Sequence, residues 1–377
     1  MKRIIKLLGV FVCIGILFCG SAWAQKPIVI GSLFGFTGTY ALMSKQATDS
    51  IQMAIDEINA SGGLLGRKLE QIKEDDENNP ALGARKYERM VLEKNVDFSS
   101  GAVSSAVTLN IMQLANKYNK ILMVPISQNV DITGKSKNKQ TFRTCANPGI
   151  TSGALCDWLI KNVGKNFYLL TVDYAWGRST SDIYRQALPA KGATIIGETF
   201  FPLDTKDFAP YFGKIKAAKP DVLFITAAGN DAIASVSQLD QYGIKQLMTV
   251  SGDGSLVAGD ALPAQGKRAD GIITADYYSS SIDTPENKAF VEKYKKLYNE
   301  EPSKFSVSAY EGMAWLAQAI KKAGTTDTDK VVAALEGSTY HGPQGVKVMD
   351  PVSHQTSLEV YMIKIVDGKQ TVVGKVK

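Results

Sequence analysis

The residues best suited to chemistry lie in four short loops, each of which follows a β-prone run. Gly101-Ala102-Val103-Ser104-Ser105-Ala106-Val107-Thr108 puts hydroxyls where a helix begins, and free N–H groups at a helix start suit an anion such as a carboxylate. Ordinary capping by Ser105 would explain the same pattern. Pro125-Ile126-Ser127-Gln128-Asn129 is a second polar loop after a strand. Asp173-Tyr174-Ala175-Trp176-Gly177 is aromatic-rich, so Trp176 reads either as a cover for a ligand or as interdomain packing. Ser251-Gly252-Asp253-Gly254 holds an acid between glycines, either a charge partner or a plain turn. Each loop alone has a bland explanation. Doubly wound sheets, however, keep their sites at the carboxyl ends of strands, and four such loops facing one cleft favour a binding site.

Catalytic groups are scarce. The histidines are His341 and His354, both in the turn-rich final part of the chain, and no H-E-x-x-H or C-x-x-C spacing occurs. Thr133-Gly134-Lys135-Ser136 looks like the end of a phosphate-binding loop, but Asn129 stands where its first glycine is required. No G-x-S-x-G elbow exists. Glu74-Asp75-Asp76-Glu77 lacks the spacing of a Ca²⁺ loop and reads as a solvated strand end. An enzyme is therefore not expected, nor a cofactor, nor a bound metal. An exported hydrolase would need a nucleophile beside one of those two histidines.

The elements that must position these loops alternate in type. Pro27 to Phe34 reads as a strand, followed by a helix whose apolar positions Met43, Ala47, Ile51, Ala54, Ile55 and Ile58 recur at helical spacing until Gly62-Gly63. Strands at 68–75, 96–99 and 121–126 alternate with helices at 80–94 and 107–118. After an extended link at 141–144 the alternation restarts, with strands at 167–172, 194–200, 222–226 and 247–250. This is an α/β chain with two doubly wound parallel-sheet lobes. The last third holds a strand at 271–278, helices at 285–298, 306–323 and 330–335, and a hairpin turning at Asp367-Gly368. These segments are expected to cross back and complete each lobe in turn.

The amino end reads as a secretory leader. Lys2, Arg3 and Lys6 precede an apolar run, and Ala22-Trp23-Ala24 forms an A-x-A cleavage site. The run is shorter than the roughly 20 residues that span a bilayer. Cys19 follows Phe18 rather than a small residue, which argues against lipid attachment, so residues 1–24 are expected to leave and the chain to begin at Gln25. The formal charge of +6 includes the three leader cations, leaving +3, too mild an excess to argue for nucleic acid or a membrane surface. Cys145 and Cys156 remain as a candidate disulfide in an exported chain, or else as two buried thiols.

The stretch Ile30 to Glu70 (IGSLFGFTGTYALMSKQATDSIQMAIDEINASGGLLGRKLE), then Asp75-Asp76, the GAVSS turn, VPIS followed by DITGK, FRT and DYAWG, resembles the periplasmic solute-binding proteins of ABC importers, of the branched-chain amino acid type. The resemblance covers almost the whole chain after the leader. It implies a type I periplasmic binding fold with three crossovers and a hinge, one lobe comprising 25–144 plus about 273–337, the other 145–272 plus about 338–377. It further implies that Ser105, with Ser104 beside it, and Ser127-Gln128 hold a ligand carboxylate. Tyr40 to Met43 would line that side, Trp176 would cover the ligand, and Asp253 would pair with a ligand ammonium. Ala227 and Ala228 fall where amino-acid binders often carry an aromatic, and Gln128 replaces a small hydroxyl residue. The expected ligand is thus a small carboxylate-bearing solute, an amino acid first, with an aromatic acid or small amide as the alternative. The expected partners are ABC permease subunits, or a membrane receptor if the role is sensory, and a monomer in the periplasm is expected.

Overall fold

The computed structural model describes residues 25–376, so the leader falls outside the described residues. The elements in order are β1 (Ile28–Phe34), α1 (Ala41–Ala60), β2 (Leu69–Asp75), α2 (Pro80–Leu92), β3 (Phe98–Gly101), α3 (Ser105–Lys117), β4 (Leu122–Val124) and β5 (Thr141–Arg143). Then come α4 (Pro148–Asn162), β6 (Asn166–Val172), α5 (Ala175–Ala190), β7 (Thr194–Phe201), α6 (Ala209–Ala218), β8 (Val222–Thr226), α7 (Gly229–Gln241), β9 (Thr249–Asp253), α8 (Leu262–Gln265) and β10 (Ile273–Asp276). The chain ends with α9 (Pro285–Tyr298), α10 (Lys304–Ala323), α11 (Thr328–Leu335), β11 (Thr339–Gly342), β12 (Gly345–Val348), β13 (Val360–Val366) and β14 (Lys369–Val376).

The first sheet is all parallel, in the order β2-β1-β3-β4-β5. The second runs β7-β6-β8-β9-β10 in parallel and is closed by β13 and β14, both antiparallel to their neighbours. Strands covered on both faces must be apolar throughout, and β8 (VLFIT) is buried at every position. Local chemistry sets the helix starts. Asn79 accepts from the N–H groups of Ala81 and Leu82 ahead of Pro80, and Ser303 and Ser306 form a reciprocal capping box.

Three expectations need correction. The link at 141–144 contributes a fifth strand, because Thr141–Arg143 pairs with β4. Ile273–Asp276 joins the second sheet beside β9 rather than the first lobe, since its residues complete a parallel ladder there. The β11–β12 ribbon packs on α10 of the first lobe: the Trp315 indole donates to Ser338 Oγ at 2.8 Å, and Lys347 pairs with Glu311. The chain therefore passes between lobes at 144–147, 277–284 and 349–359.

The bridge between Cys145 and Cys156 does not form; both are free and buried. Cys145 packs with Tyr277, Tyr278 and Tyr294 at the crossings, its Sγ 3.4 Å from the Ser127 carbonyl. Cys156 lies among Leu155, Leu159, Tyr184 and Phe224 inside the second lobe. Burial pushes both thiols up to about 12. The crossings themselves are braced by buried Arg143, which donates to the Asn129 carbonyl and to Gln355, while Gln355 donates to the Cys145 carbonyl.

Candidate ligand-binding site

Every loop singled out above lies at the carboxyl end of a parallel strand, and the two sets of strand ends face one another. In the first lobe β3 delivers Ser104 to the N-cap of α3, in extended conformation and with no side-chain capping bond. The opening N–H groups of this 13-residue helix thus lack the usual hydroxyl acceptor. Ser105 Oγ accepts from the Asn129 N–H at 3.3 Å, which ties this helix start to the loop after β4.

Ser127 is spent on the same scaffold. Its Oγ lies 2.5 Å from Thr108 Oγ1 and within 3.0 Å of the Ala102 and Val103 carbonyls. It fixes the two loops against each other and does not line the space between the lobes. Gln128 does, and its Nε2 reaches across to Ser255 Oγ at 3.4 Å.

The second lobe answers with aromatic surface. Tyr40 of the first lobe donates to the Tyr174 hydroxyl at 2.8 Å, and the Tyr174 and Trp176 rings lie 6.0 Å apart. Burial first, then mutual proximity, raises the Tyr40 phenol well above its ordinary value, so it stays protonated. Further bonds join the lobes around this contact. Asn129 Nδ2 donates to the Ala175 carbonyl at 2.7 Å, the Val130 N–H to Ser179 Oγ at 3.1 Å, and Thr39 Oγ1 to Asp204 at 2.9 Å.

Between them the closed lobes leave only a small cavity. The first lobe lines it with Tyr40, Met43, Val103, Ser105, Ile126, Gln128 and Phe305, the second with Tyr174, Trp176, Ala228 and Ser255. None of these side chains carries a formal charge. Trp176 is 3% exposed, and its indole N–H is buried without a protein partner. A broader hollow beside Lys216, Asp221 and Lys245 opens to solvent at the opposite, amino ends of β8 and β9.

Of the residues expected at the site, Tyr40, Met43, Ser105, Gln128, Trp176 and Ala228 line the cavity, while Ser104, Ser127 and Ala227 are buried without lining it. Asp253 does not reach the cavity either. It accepts from the Ser255 N–H at 2.8 Å and lies 3.9 Å from Lys304 Nζ, which is itself 3.0 Å from Asp276. Burial opposes the charge on Lys304, but Asp276, Asp253 and Asp260 outweigh it and raise its pKa. Burial, partly countered by Lys304, pushes Asp276 up to about 6. Tyr174, Ser255 and Phe305 line the cavity without having been expected there. The first two stand within or beside quoted loops, whereas Phe305 arrives from the last third of the chain. Among the described residues no cluster of acids, histidines and cysteines is arranged to hold a metal.

A model of the periplasmic binding protein family matches residues 27–370. The chain belongs to that family. As a periplasmic binding protein it is a solute-binding component, not an enzyme, and its family works outside the cytoplasm. The Leu/Ile/Val-binding protein homolog 8 of Brucella abortus is 26% identical over 332 residues, 83% of this chain and 81% of its own. A solute-binding protein of an ABC transporter from Rhodopseudomonas palustris BisB5, in complex with 3,4-dihydroxybenzoic acid, is 27% identical with a TM-score of 0.86, over 93% of this chain and 96% of its own. A leucine-binding protein from Thermotoga maritima shares the fold at a TM-score of 0.82 and 21% identity, over 93% and 98%. Among the described residues no helix is long and apolar enough to cross a membrane.

Proposed function

We propose that this periplasmic binding protein captures a small carboxylic acid with an apolar or aromatic body in the interlobe cavity and delivers it to the permease of an ABC importer. Ser105 and the open first turn of α3 take the carboxylate, because N–H groups and the positive end of a helix favour an anion there. Tyr40, Tyr174, Trp176 and Phe305 enclose the body by apolar contact. The observation that carries the reading is the Trp176 indole N–H, a buried donor kept without a partner in a cavity wall. Such a group costs stability unless a guest accepts from it. That relatives of this architecture include one holding 3,4-dihydroxybenzoic acid and others named for leucine, isoleucine and valine supports a carboxylate-bearing guest.

The test is calorimetric and thermal titration of the protein from Gln25 with benzoate, 3,4-dihydroxybenzoate, 4-methylpentanoate and leucine. A true ligand at a hundred times its Kd stabilises the fold by about 2.7 kcal/mol. Trp176→Phe removes one hydrogen bond to the guest, about 1.5–3 kcal/mol for a charged acceptor, or roughly 10- to 150-fold in Kd. Absence of stabilisation by every carboxylate, or full affinity in Trp176→Phe, refutes the proposal.

A further inference from the structure

Resting on the carboxylate reading above, we infer that Lys304 is a built-in ammonium that makes the cavity select acids lacking an α-amino group. A bound amino acid needs an anionic partner for its ammonium, because a buried unpaired charge is strongly disfavoured. Among the described residues no acid lines the cavity. The nearest acidic strand end of the second lobe is Asp253, two residues before the cavity-lining Ser255, and it faces Lys304 instead of the guest. Lys304 is 3% exposed and bridges the lobes, from the first residue of α10 to Asp276 and Asp253 on β10 and β9. Asp260 adds to the same field. The Lys304 Nζ lies 5.5 Å from the Tyr277 ring centre and 5.4 Å from that of Phe305, so the cation stands directly behind a cavity wall.

This is an unfavourable address for a lysine. It is buried, and it sits at the positive end of a 20-residue helix, where the macrodipole disfavours a cation. Only the surrounding acids make it tenable. The arrangement reproduces internally the charge pair that an amino-acid ligand would form with the protein; the remaining nearby acid, Asp231, stands behind Tyr40 and Tyr174 and accepts from the Asp204 N–H.

Matched pairs of probes test this whatever the natural ligand is. Leucine and 4-methylpentanoate, and phenylalanine and 3-phenylpropanoate, differ only by the ammonium. Calorimetry at pH 7.5 should show each deaminated acid binding at least ten-fold more tightly than its amino acid. Lys304→Met should narrow that ratio at least ten-fold, by releasing Asp253 and Asp276 towards the guest, and Lys304→Arg should restore it. The wild-type comparison stands even if Lys304→Met fails to fold. Equal or tighter binding of the amino acid in wild type overturns the lysine's role while leaving carboxylate capture intact. Failure of all four probes and of benzoate to bind overturns both.

Discussion

Gly229 offers a direct probe of how ligand capture depends on lobe contact. It opens α7 with φ +56°, and a Cβ placed on it would lie 2.2 Å from the Thr39 carbonyl oxygen of the opposite lobe. A carbon and an oxygen in contact need about 3.3 Å, so Gly229→Ala forces the lobes apart by about 1 Å at this point. Overpacking of that kind costs roughly 1–3 kcal/mol, about 5- to 150-fold in affinity if the ligand is held between closed lobes. The substitution also carries the left-handed backbone cost of about 1–2 kcal/mol, which must be separated out. Gly192→Ala does so, since Gly192 has φ +74° with nothing within 4 Å of its virtual Cβ. Calorimetric titration with 4-methylpentanoate and melting of the ligand-free proteins should give similar melting losses for both variants. Weakened binding is expected in Gly229→Ala alone. Unchanged affinity in Gly229→Ala, or equal loss in both, would refute the idea that this cleft must close to bind.

Asp76 is fully buried, with one carboxylate oxygen accepting from the Asn78 N–H at 2.7 Å and the other unpartnered. Burial pushes its pKa up to about 7. Between about pH 4 and pH 7 the folded chain holds a proton that the unfolded chain releases, so this contribution to stability is present at low pH and is lost as pH rises through 7. Asp76→Asn should be more stable than wild type at pH 8, by up to the order of 4 kcal/mol, and should lose less stability between pH 5 and pH 8 in urea melts. Asp231 and Asp260, also raised to about 7 by burial, keep part of the wild-type slope, and an unaltered slope in the variant would contradict the assignment. For the cysteines, the protein from Gln25 should yield two reactive thiols per chain when denatured without reductant and essentially none when native. No thiol in the denatured chain would show that a bridge exists after all.

Much of this site is legible in the sequence because strand-end loops announce themselves by local pattern. A β-branched run, a polar or glycine-containing turn and a helical repeat are enough to single out Ser105, Gln128 and Trp176. Asp253 shows where local pattern stops. Its position between glycines is plain, but its partner Lys304 comes from another element and another lobe, and no spacing rule connects them. Ser127 misleads for a similar reason: a hydroxyl after a strand looks the same whether it faces a cavity or three hydrogen-bond partners inside its own lobe. The lobe boundaries near 273 and 338 are obscured because β10 and the β11–β12 ribbon choose their sheets by tertiary pairing, which periodicity does not report. The short strand Thr141–Arg143 lacks the length that marks a strand against background.

The interleaving of the two lobes along the chain also bears on how the molecule is made. All five strands of the first sheet have emerged by Arg143, yet α10, the helix packed along α1 and joined to it by Ser303–Gln46 and Tyr310–Glu57 hydrogen bonds, begins only at Lys304. The second sheet likewise waits for β13 to cover the open edge of β10. A chain delivered amino end first can bury the cluster between Leu33 and Ile132 early, but the opposite face of the first sheet and the core of the second wait for the last third of the chain, and such long sequence separations slow folding. Topology itself thus makes completion of both halves a single late event, set by the last third of the chain rather than by the order in which the strands appear.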